Sequence, residues 1–355
     1  MKRLSILSRA FLALALVSCK TEEMNTNELR LIPDAAYAKG VSAPFCGVAQ
    51  GVLVVAGGAN FPDEPLLEGG AKKVYDDIWI KSPSFWKKWI HAGHLPDSTA
   101  YGATFQLGDT LILAGGNAAG TTTDKVYAMH LNYGKAVLRT LPQLPVPLEQ
   151  AGFTRDGERL YLVGGLCGPA GSAAIFTCNI ADYHWEKLAD LPEPLVQPLA
   201  FAAEGTLYVW GGFNPETLEV SSRGLSLNLD HPEEWREAPP VPDGGTFTGA
   251  AGCTLPDCRL IVVGGVNRDI FARALRNTPE ERIPYLSKKP SEYRFRSDVW
   301  RFDPATEEWK LLGNVPACTL AGPGVAAAGS NEVYVAGGEL KPGVRSPKIF
   351  SLRLP

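Results

Sequence analysis

Residues 337–346 read GGELKPGVRS, which places Glu339 and Arg345 in one short loop, six residues apart. A carboxyl group can take a proton and return it at ordinary pH, and a positioned one contributes roughly 10²–10⁴ in rate. A guanidinium presents a planar fork that binds both oxygens of a substrate carboxylate at once. Together they would suit proton transfer on a small acidic molecule. The same residues also read as a solvated turn, so the elements that present them decide between the two.

Those elements repeat. Gly-Gly closes a short apolar run six times, in VLVVAGG (52–58), LILAGG (111–116), LYLVGG (160–165), LYVWGG (207–212), LIVVGG (260–265) and VYVAGG (333–338). The second glycines are separated by 58, 49, 47, 53 and 73 residues. A further β-rich run follows most pairs, then a tryptophan and a Leu-Pro or its variant: WIHAGHLP (89–96), WEKLADLP (185–192), WREAPPVP (235–242) and WKLLGNVP (309–316). The second repeat has VLRTLPQLP (137–145) instead. This pattern resembles the kelch motif, with a period of about 50 residues. It implies an all-β chain, a six-bladed kelch-type β-propeller of four-stranded antiparallel blades. Glycines follow each second strand because the chain must turn there without a Cβ clash. The tryptophans pack between blades.

The last repeat lacks a fourth strand downstream of KIFSLRLP (348–355), and ELRLIPD (28–34) supplies the missing outer strand in this reading. Closure would remove open edges between the first and last blades. The propeller thus spans 28–355. The 73-residue step carries an insert after Asn267 in which TPEERIPYLSKK (278–289) opens like a capping box, with Thr278 and Glu281. Pro284 argues against a long straight helix, so one or two short helices overhanging the mouth are expected in the fifth blade.

Composition agrees with many short strands and turns: 37 glycines, 28 prolines, 45% hydrophobic and 20% charged residues. A net charge of −4 without a run of five like charges argues against a nucleic-acid surface. The first eighteen residues have a basic start and an apolar run too short to span a bilayer. They end in LVSC (16–19), which resembles the bacterial lipobox. The resemblance implies a lipoprotein signal over 1–18, lipidation of Cys19, a polar tether over 19–27 and export to a bacterial envelope, periplasm-facing or on the cell surface. Loss of Lys2, Arg3 and Arg9 with the signal would take the net charge from −4 to −7. The membrane would be met through that anchor alone.

Six cysteines remain. Cys253 and Cys258 flank TLPD, a hairpin turn that a disulfide could cross or leave as two free thiols. No zinc-ligand spacing is present and the five histidines are scattered, so no metal is expected.

In an antiparallel blade, all six loops after the Gly-Gly pairs leave on one face and ring one mouth of the central channel. The residues that open them are Ala59, Asn117, Leu166, Phe213, Val266 and Glu339, and Glu339 alone is a carboxylate. Its stretch, GGELKPGVRS, resembles the Gly-Glu-x-Lys-Pro-Gly-x-Arg segment of the N-acetylneuraminate epimerase (sialic acid mutarotase) family. VVGGVNRDIF (262–271), AGGANFPD (56–63) and AYGATFQLGDTLILAGG (100–116) resemble other segments of that family. Their order is shifted, as in its cyclically permuted branch, which a propeller tolerates because its termini meet.

The resemblance implies an isomerase that interconverts the α and β anomers of sialic acid by opening and reclosing the hemiketal ring, with no cofactor. Glu339 would carry the proton transfer and Arg345 the substrate carboxylate. Asn60 and Asn267, in neighbouring loops, would bond sugar hydroxyls or the acetamido group, or else serve as turn asparagines. Tyr101, Gln150 and Gln197, at the starts of inner strands, are further substrate-binding candidates. The competing reading is a non-catalytic kelch module that binds glycan or protein. A sialidase is disfavoured because no Ser-x-Asp-x-Gly-x-Thr-Trp box is present.

Overall fold

A computed structural model describes residues 24–81 and 88–355. The signal-like segment, Cys19 and most of the expected tether lie outside the described residues. The rest is all-β, built from many small antiparallel sheets. Six of these sheets have four strands. Five follow the chain in simple order, as in Phe45–Ala49, Val52–Ala56, Asp77–Lys81 and Ile90–His94. The others occupy 103–140, 152–190, 196–238 and 250–314. The sixth joins Gly324–Ala327, Glu332–Ala336 and Ile349–Arg353 to Thr26–Glu28 from the start of the described chain.

That last pairing corrects the expected boundaries. The closing strand is not 28–34, and Thr26 and Asn27 are not tether. Their partners are Thr26↔Leu352, Asn27↔Ser351 and Glu28↔Phe350, and the Leu29 amide still donates to the Ile349 carbonyl at 2.8 Å. Beyond it the chain leaves the edge: Pro33 has no N–H for a ladder, and the Arg30 carbonyl instead accepts from the Trp89 indole of the first sheet.

Alternation along each strand explains why the runs before Gly-Gly are apolar on both faces. In Val52–Ala56, Leu53 and Val55 belong to a buried cluster shared with Tyr334, Ala336 and Ile349 of the sixth sheet. Val54 and Ala56 point the other way, into a cluster with Leu111, Leu113 and Met129 of the second. Successive side chains of a strand face opposite sides, so every sheet contributes to two inter-sheet cores. The tryptophans sit at these junctions. Trp185 packs with Phe105 across the second and third sheets, and Trp309 lies against Trp210 and Phe247 across the fourth and fifth. The first strands of successive sheets lie side by side, and Phe45–Ala49 touches both Ala103–Leu107 and Gly324–Ala327.

The Gly-Gly pairs do more than turn the chain. In five of the six, the second glycine donates its N–H to a carbonyl of the link entering the next sheet, as Gly338 does to Val41 and Gly58 to Thr99, at 2.8 and 2.9 Å. The first glycine lets that link approach. Gly337 has φ +65°, and a Cβ there would lie 2.2 Å from the Val41 carbonyl oxygen. A side chain at this position would separate two sheets.

The insert in the fifth sheet forms two short helices, α1 (Arg268–Ala274) and α2 (Pro279–Ser287). Thr278 and Glu281 make a reciprocal capping box, and Pro284 is accommodated inside nine helical residues. None of the described helices is long and apolar enough to cross a membrane. All six described cysteines are free thiols, so Cys253 and Cys258 are not bridged. Cys253 points from a strand paired to Ile261, whereas Cys258 sits in the turn with φ +62°.

Candidate active site

The loop 339–345 is a small β-hairpin in which Glu339–Lys341 pairs with Val344–Arg345 and Glu339 lies directly opposite Arg345. The six-residue spacing of the sequence is therefore a cross-strand pair. Gly343 turns the hairpin at φ +82°, where a Cβ would collide with Leu66 from another loop. The Glu339 amide and carbonyl both bond Ala321, at 2.6 and 3.0 Å, which ties the hairpin to the entrance of its own inner strand. From the other side, Lys341 Nζ donates to the Leu286 and Lys288 carbonyls at 3.0 and 2.9 Å. The hairpin is thus clamped to the end of α2.

Arg345 and Glu339 form an ion pair, with 2% of the arginine side chain exposed and 27% of the glutamate's. Arg345 Nε donates to the Ala59 carbonyl at 3.2 Å, and its guanidinium lies 5.4 Å from the Phe61 ring centroid. Desolvation pushes the Glu339 carboxyl above the ordinary glutamate range. The charges of Arg345 and Lys72, and the Gly343 amide, pull the other way without cancelling it.

Glu339 faces a cavity of about 390 Å³ at the axis of the sheets, within the range of small-molecule sites. Its rim includes Lys72 and Phe271, the latter from α1, so the insert does overhang the mouth. The cavity wall carries the residues that lead into the six inner strands: Ala43, Tyr101, Gln150, Gln197, Gly249 and Gly322. All six adopt left-handed backbone, φ +50° to +67°. Amide-to-carbonyl bonds run around them, from Gln197 to Gln150, Gln150 to Tyr101, Tyr101 to Ala43, Ala43 to Gly322 and Gly322 to Gly249, at 2.7–3.0 Å. Four of these residues are not obvious turn formers, and non-glycine residues rarely take this conformation. The polar side chains of Tyr101, Gln150 and Gln197 are held into the cavity by that ring. Gln197 Nε2 donates to Gln150 Oε1 at 2.6 Å, and Lys72 Nζ sits 5.0 Å from the Tyr101 ring centroid. Cys46 also lines the cavity, but burial pushes its thiol up to about 12, leaving it protonated and poorly nucleophilic at neutral pH.

Asn60, Asn267 and Arg345 do not line the cavity. Asn60 is 1% exposed and already satisfied: its amide donates to the Ala36 and Gly40 carbonyls, and its oxygen accepts from the Tyr75 hydroxyl at 2.7 Å. It buttresses the loop below the mouth, with both amide hydrogens already given to carbonyls. Asn267 is the N-cap of α1, accepting from the Ile270 amide at 3.1 Å. Arg345 is absent from the cavity lining and lies behind Glu339, where a substrate carboxylate would have to break its ion pair to reach it. Lys72, which sequence reading passed over, provides the cation at the rim. Its only signal was its place in the loop after a Gly-Gly pair.

The sheets define a propeller-type fold, with a single carboxylate, Glu339, in the wall of its axial cavity. The sequence model of the N-acetylneuraminate epimerase family matches residues 141–354, and the chain belongs to that family. It is 29% identical over 225 residues to the N-acetylneuraminate epimerase of Yersinia enterocolitica, covering 59% of this chain and 56% of that one. N-acetylneuraminate epimerase 1 of Escherichia coli O6:H1 is 27% identical over 234 residues, 61% of each chain. The enzyme of Haemophilus influenzae PittEE is 27% identical over 228 residues, 59% of this chain and 58% of its own. The chain thus spans little more than half the length of these curated relatives. Among solved structures, that of YjhT superposes with a TM-score of 0.53 at 24% identity, over 61% of this chain and 66% of that one. That likeness concerns the fold.

Proposed function

We propose that this protein is a mutarotase for N-acetylneuraminate, and that Glu339 facing the axial cavity is the observation that carries the reading. In the forward step the anomeric hydroxyl loses its proton, a C=O bond forms at that carbon, and the bond to the ring oxygen breaks as that oxygen gains a proton. Closure on the other face of the carbonyl reverses the sequence and gives the second anomer. Nothing is consumed. One carboxyl group that accepts the first proton and delivers it to the ring oxygen suffices, and a pKa raised by desolvation brings it nearer the operating pH. The clamped hairpin keeps that group in place.

Arg345 then serves to hold Glu339 and to favour its ionised form, a role its burial suits better than contact with substrate. Lys72 takes the substrate carboxylate at the rim. Tyr101, Gln150 and Gln197 offer donors and acceptors to hydroxyl and acetamido groups. Relatives at 27–29% identity that carry the epimerase name support the reaction.

The finer architecture belongs to the same proposal. Six four-stranded sheets and six inter-sheet cores support a six-bladed kelch propeller closed by Thr26–Glu28. The family match beginning at residue 141 supports a cyclic permutation, because an alignment in chain order cannot follow a rotated set of blades. The lipobox-like LVSC supports an envelope lipoprotein acylated at Cys19. The deciding test is NMR of freshly released α-N-acetylneuraminate: catalytic amounts of protein should speed its relaxation to anomeric equilibrium. Binding without faster relaxation would mean a non-catalytic sugar-binding propeller.

A further inference from the structure

The histidines that look scattered in sequence are not all scattered in space. His91 and His94 lie three apart on Ile90–His94, and strict alternation would put them on opposite faces of the strand. A bulge prevents this. The pairing with Asp77–Lys81 runs Asp77↔His94, Ile78↔Gly93, then Trp79↔His91, which leaves Ala92 without an opposite residue. Gly93, at φ +137°, supplies backbone that other residues avoid. Both imidazoles therefore emerge on the face that carries Asp77 and Trp79.

The donors converge there. His91 Nε2 is 2.8 Å from Asp77 Oδ1, and His94 Nδ1 is 3.7 Å from the same oxygen and 3.5 Å from Asp76 Oδ2. One donor atom each from Asp77, His91 and His94 lie within 4.8 Å of one another. Zinc–nitrogen and zinc–oxygen bonds of about 2.0–2.2 Å in a tetrahedron set ligands roughly 3.3–3.6 Å apart, so rotamer-scale adjustment closes the set. Trp79 packs edge-on against the His91 ring at 5.0 Å between centroids and fixes its plane. His94 is 57% exposed, which leaves the outer side open to water or to Asp76 as a fourth ligand.

We propose that Asp77, His91 and His94 form a binding site for a single divalent transition-metal ion, zinc being the ion that two imidazoles and a carboxylate fit best. The ion would staple the third and fourth strands of the first sheet. The site uses none of the residues assigned to the cavity, so it stands apart from the mutarotase reading.

The test uses untagged, chelator-treated protein titrated with zinc chloride by calorimetry, with thermal melting in parallel. One equivalent should bind and raise the melting temperature. His94→Ala, an exposed change that leaves the fold intact, should weaken binding at least ~10-fold and remove the melting shift. Asp77→Asn should do the same, whereas Cys258→Ser, which removes an exposed competing thiol, should leave both signals in place. Absence of binding in the wild type, or equal affinity in His94→Ala, would overturn the assignment.

Discussion

Replacing Glu339 by Gln keeps the shape of the side chain and an oxygen that can accept from Arg345 and Gly343, but removes the titrating proton. If this carboxyl group carries the proton between the anomeric hydroxyl and the ring oxygen, exchange should fall by roughly 10²–10⁴. At ~1.4 kcal/mol per tenfold, that is about 3–5 kcal/mol of barrier. Stability should change less. A buried ion pair that loses one partner costs about 3–5 kcal/mol, but Glu339 keeps 27% of its side chain in water. The amide also relieves the desolvated carboxylate while still accepting a hydrogen bond, so a net loss of about 1–3 kcal/mol is expected. The variant should therefore fold, bind N-acetylneuraminate with an affinity near that of the wild type, and fail to exchange it. Anomer exchange by NMR and calorimetric titration on the same preparation measure the two quantities separately. Wild-type exchange in a folded Glu339→Gln protein would refute the reasoning, whatever its affinity.

The two cations should separate in the same assays. Lys72→Met should weaken binding of the sugar acid with little change in stability, whereas Arg345→Lys should destabilise the hairpin and slow exchange more than it weakens binding. The reverse pattern would return the carboxylate to Arg345. The Glu339 carboxyl titrates above its ordinary 4.5, so the acid limb of the exchange rate should lie above that pH and be absent from the residual rate of Glu339→Gln. The sign for folding follows: a raised folded pKa favours the native state at low pH, and this advantage is lost as pH rises through that pKa. The melting temperature of the wild type relative to Glu339→Gln should decline over that interval. Deleting residues 24–29 uncovers the edge of Ile349–Arg353 and should cost about 2–4 kcal/mol at ~1 kcal/mol net per backbone hydrogen bond, compared by melting with deletion of 20–23. Cys19→Ser should release the protein from membranes in a folded form, checked by fractionation; wild type that is already unattached and retains residues 1–18 would remove the lipoprotein reading.

Most of the sheet architecture was legible because its determinants are local. A strand with both faces buried reads as an apolar run, a glycine pair marks where a neighbouring carbonyl must pass, and a tryptophan at fixed distance marks the outer edge. Glu339 and Arg345 were legible together for the same reason: a short hairpin makes residues six apart face one another. The capping box of α2 was likewise visible in Thr278 and Glu281. The closing strand was expected over 28–34 and lies at Thr26–Glu28, sharing only Glu28, because Leu29–Ile32 is as apolar as a strand and nothing in the segment reveals that Trp89 draws its backbone away.

The sequence by itself determined the repeating sheet, the mouth on which the Gly-Gly loops gather and the carboxylate that distinguishes one loop from five. Tertiary structure decided what each side chain is free to do. Asn60 and Asn267 are polar and in the right loops, yet one is buried against carbonyls and a tyrosine, the other caps a helix, and neither lines the cavity. Lys72 reaches the cavity of Glu339 across most of the chain because the first and last sheets are neighbours. The left-handed ring of Ala43, Tyr101, Gln150 and Gln197 exists because six inner strands enter side by side, each amide bonding the adjacent sheet. The two histidines meet because one bulge shifts a register. Each outcome depends on which partners occupy a donor, an acceptor or a face, and such partners are set by the packing of distant segments rather than by neighbours in the chain.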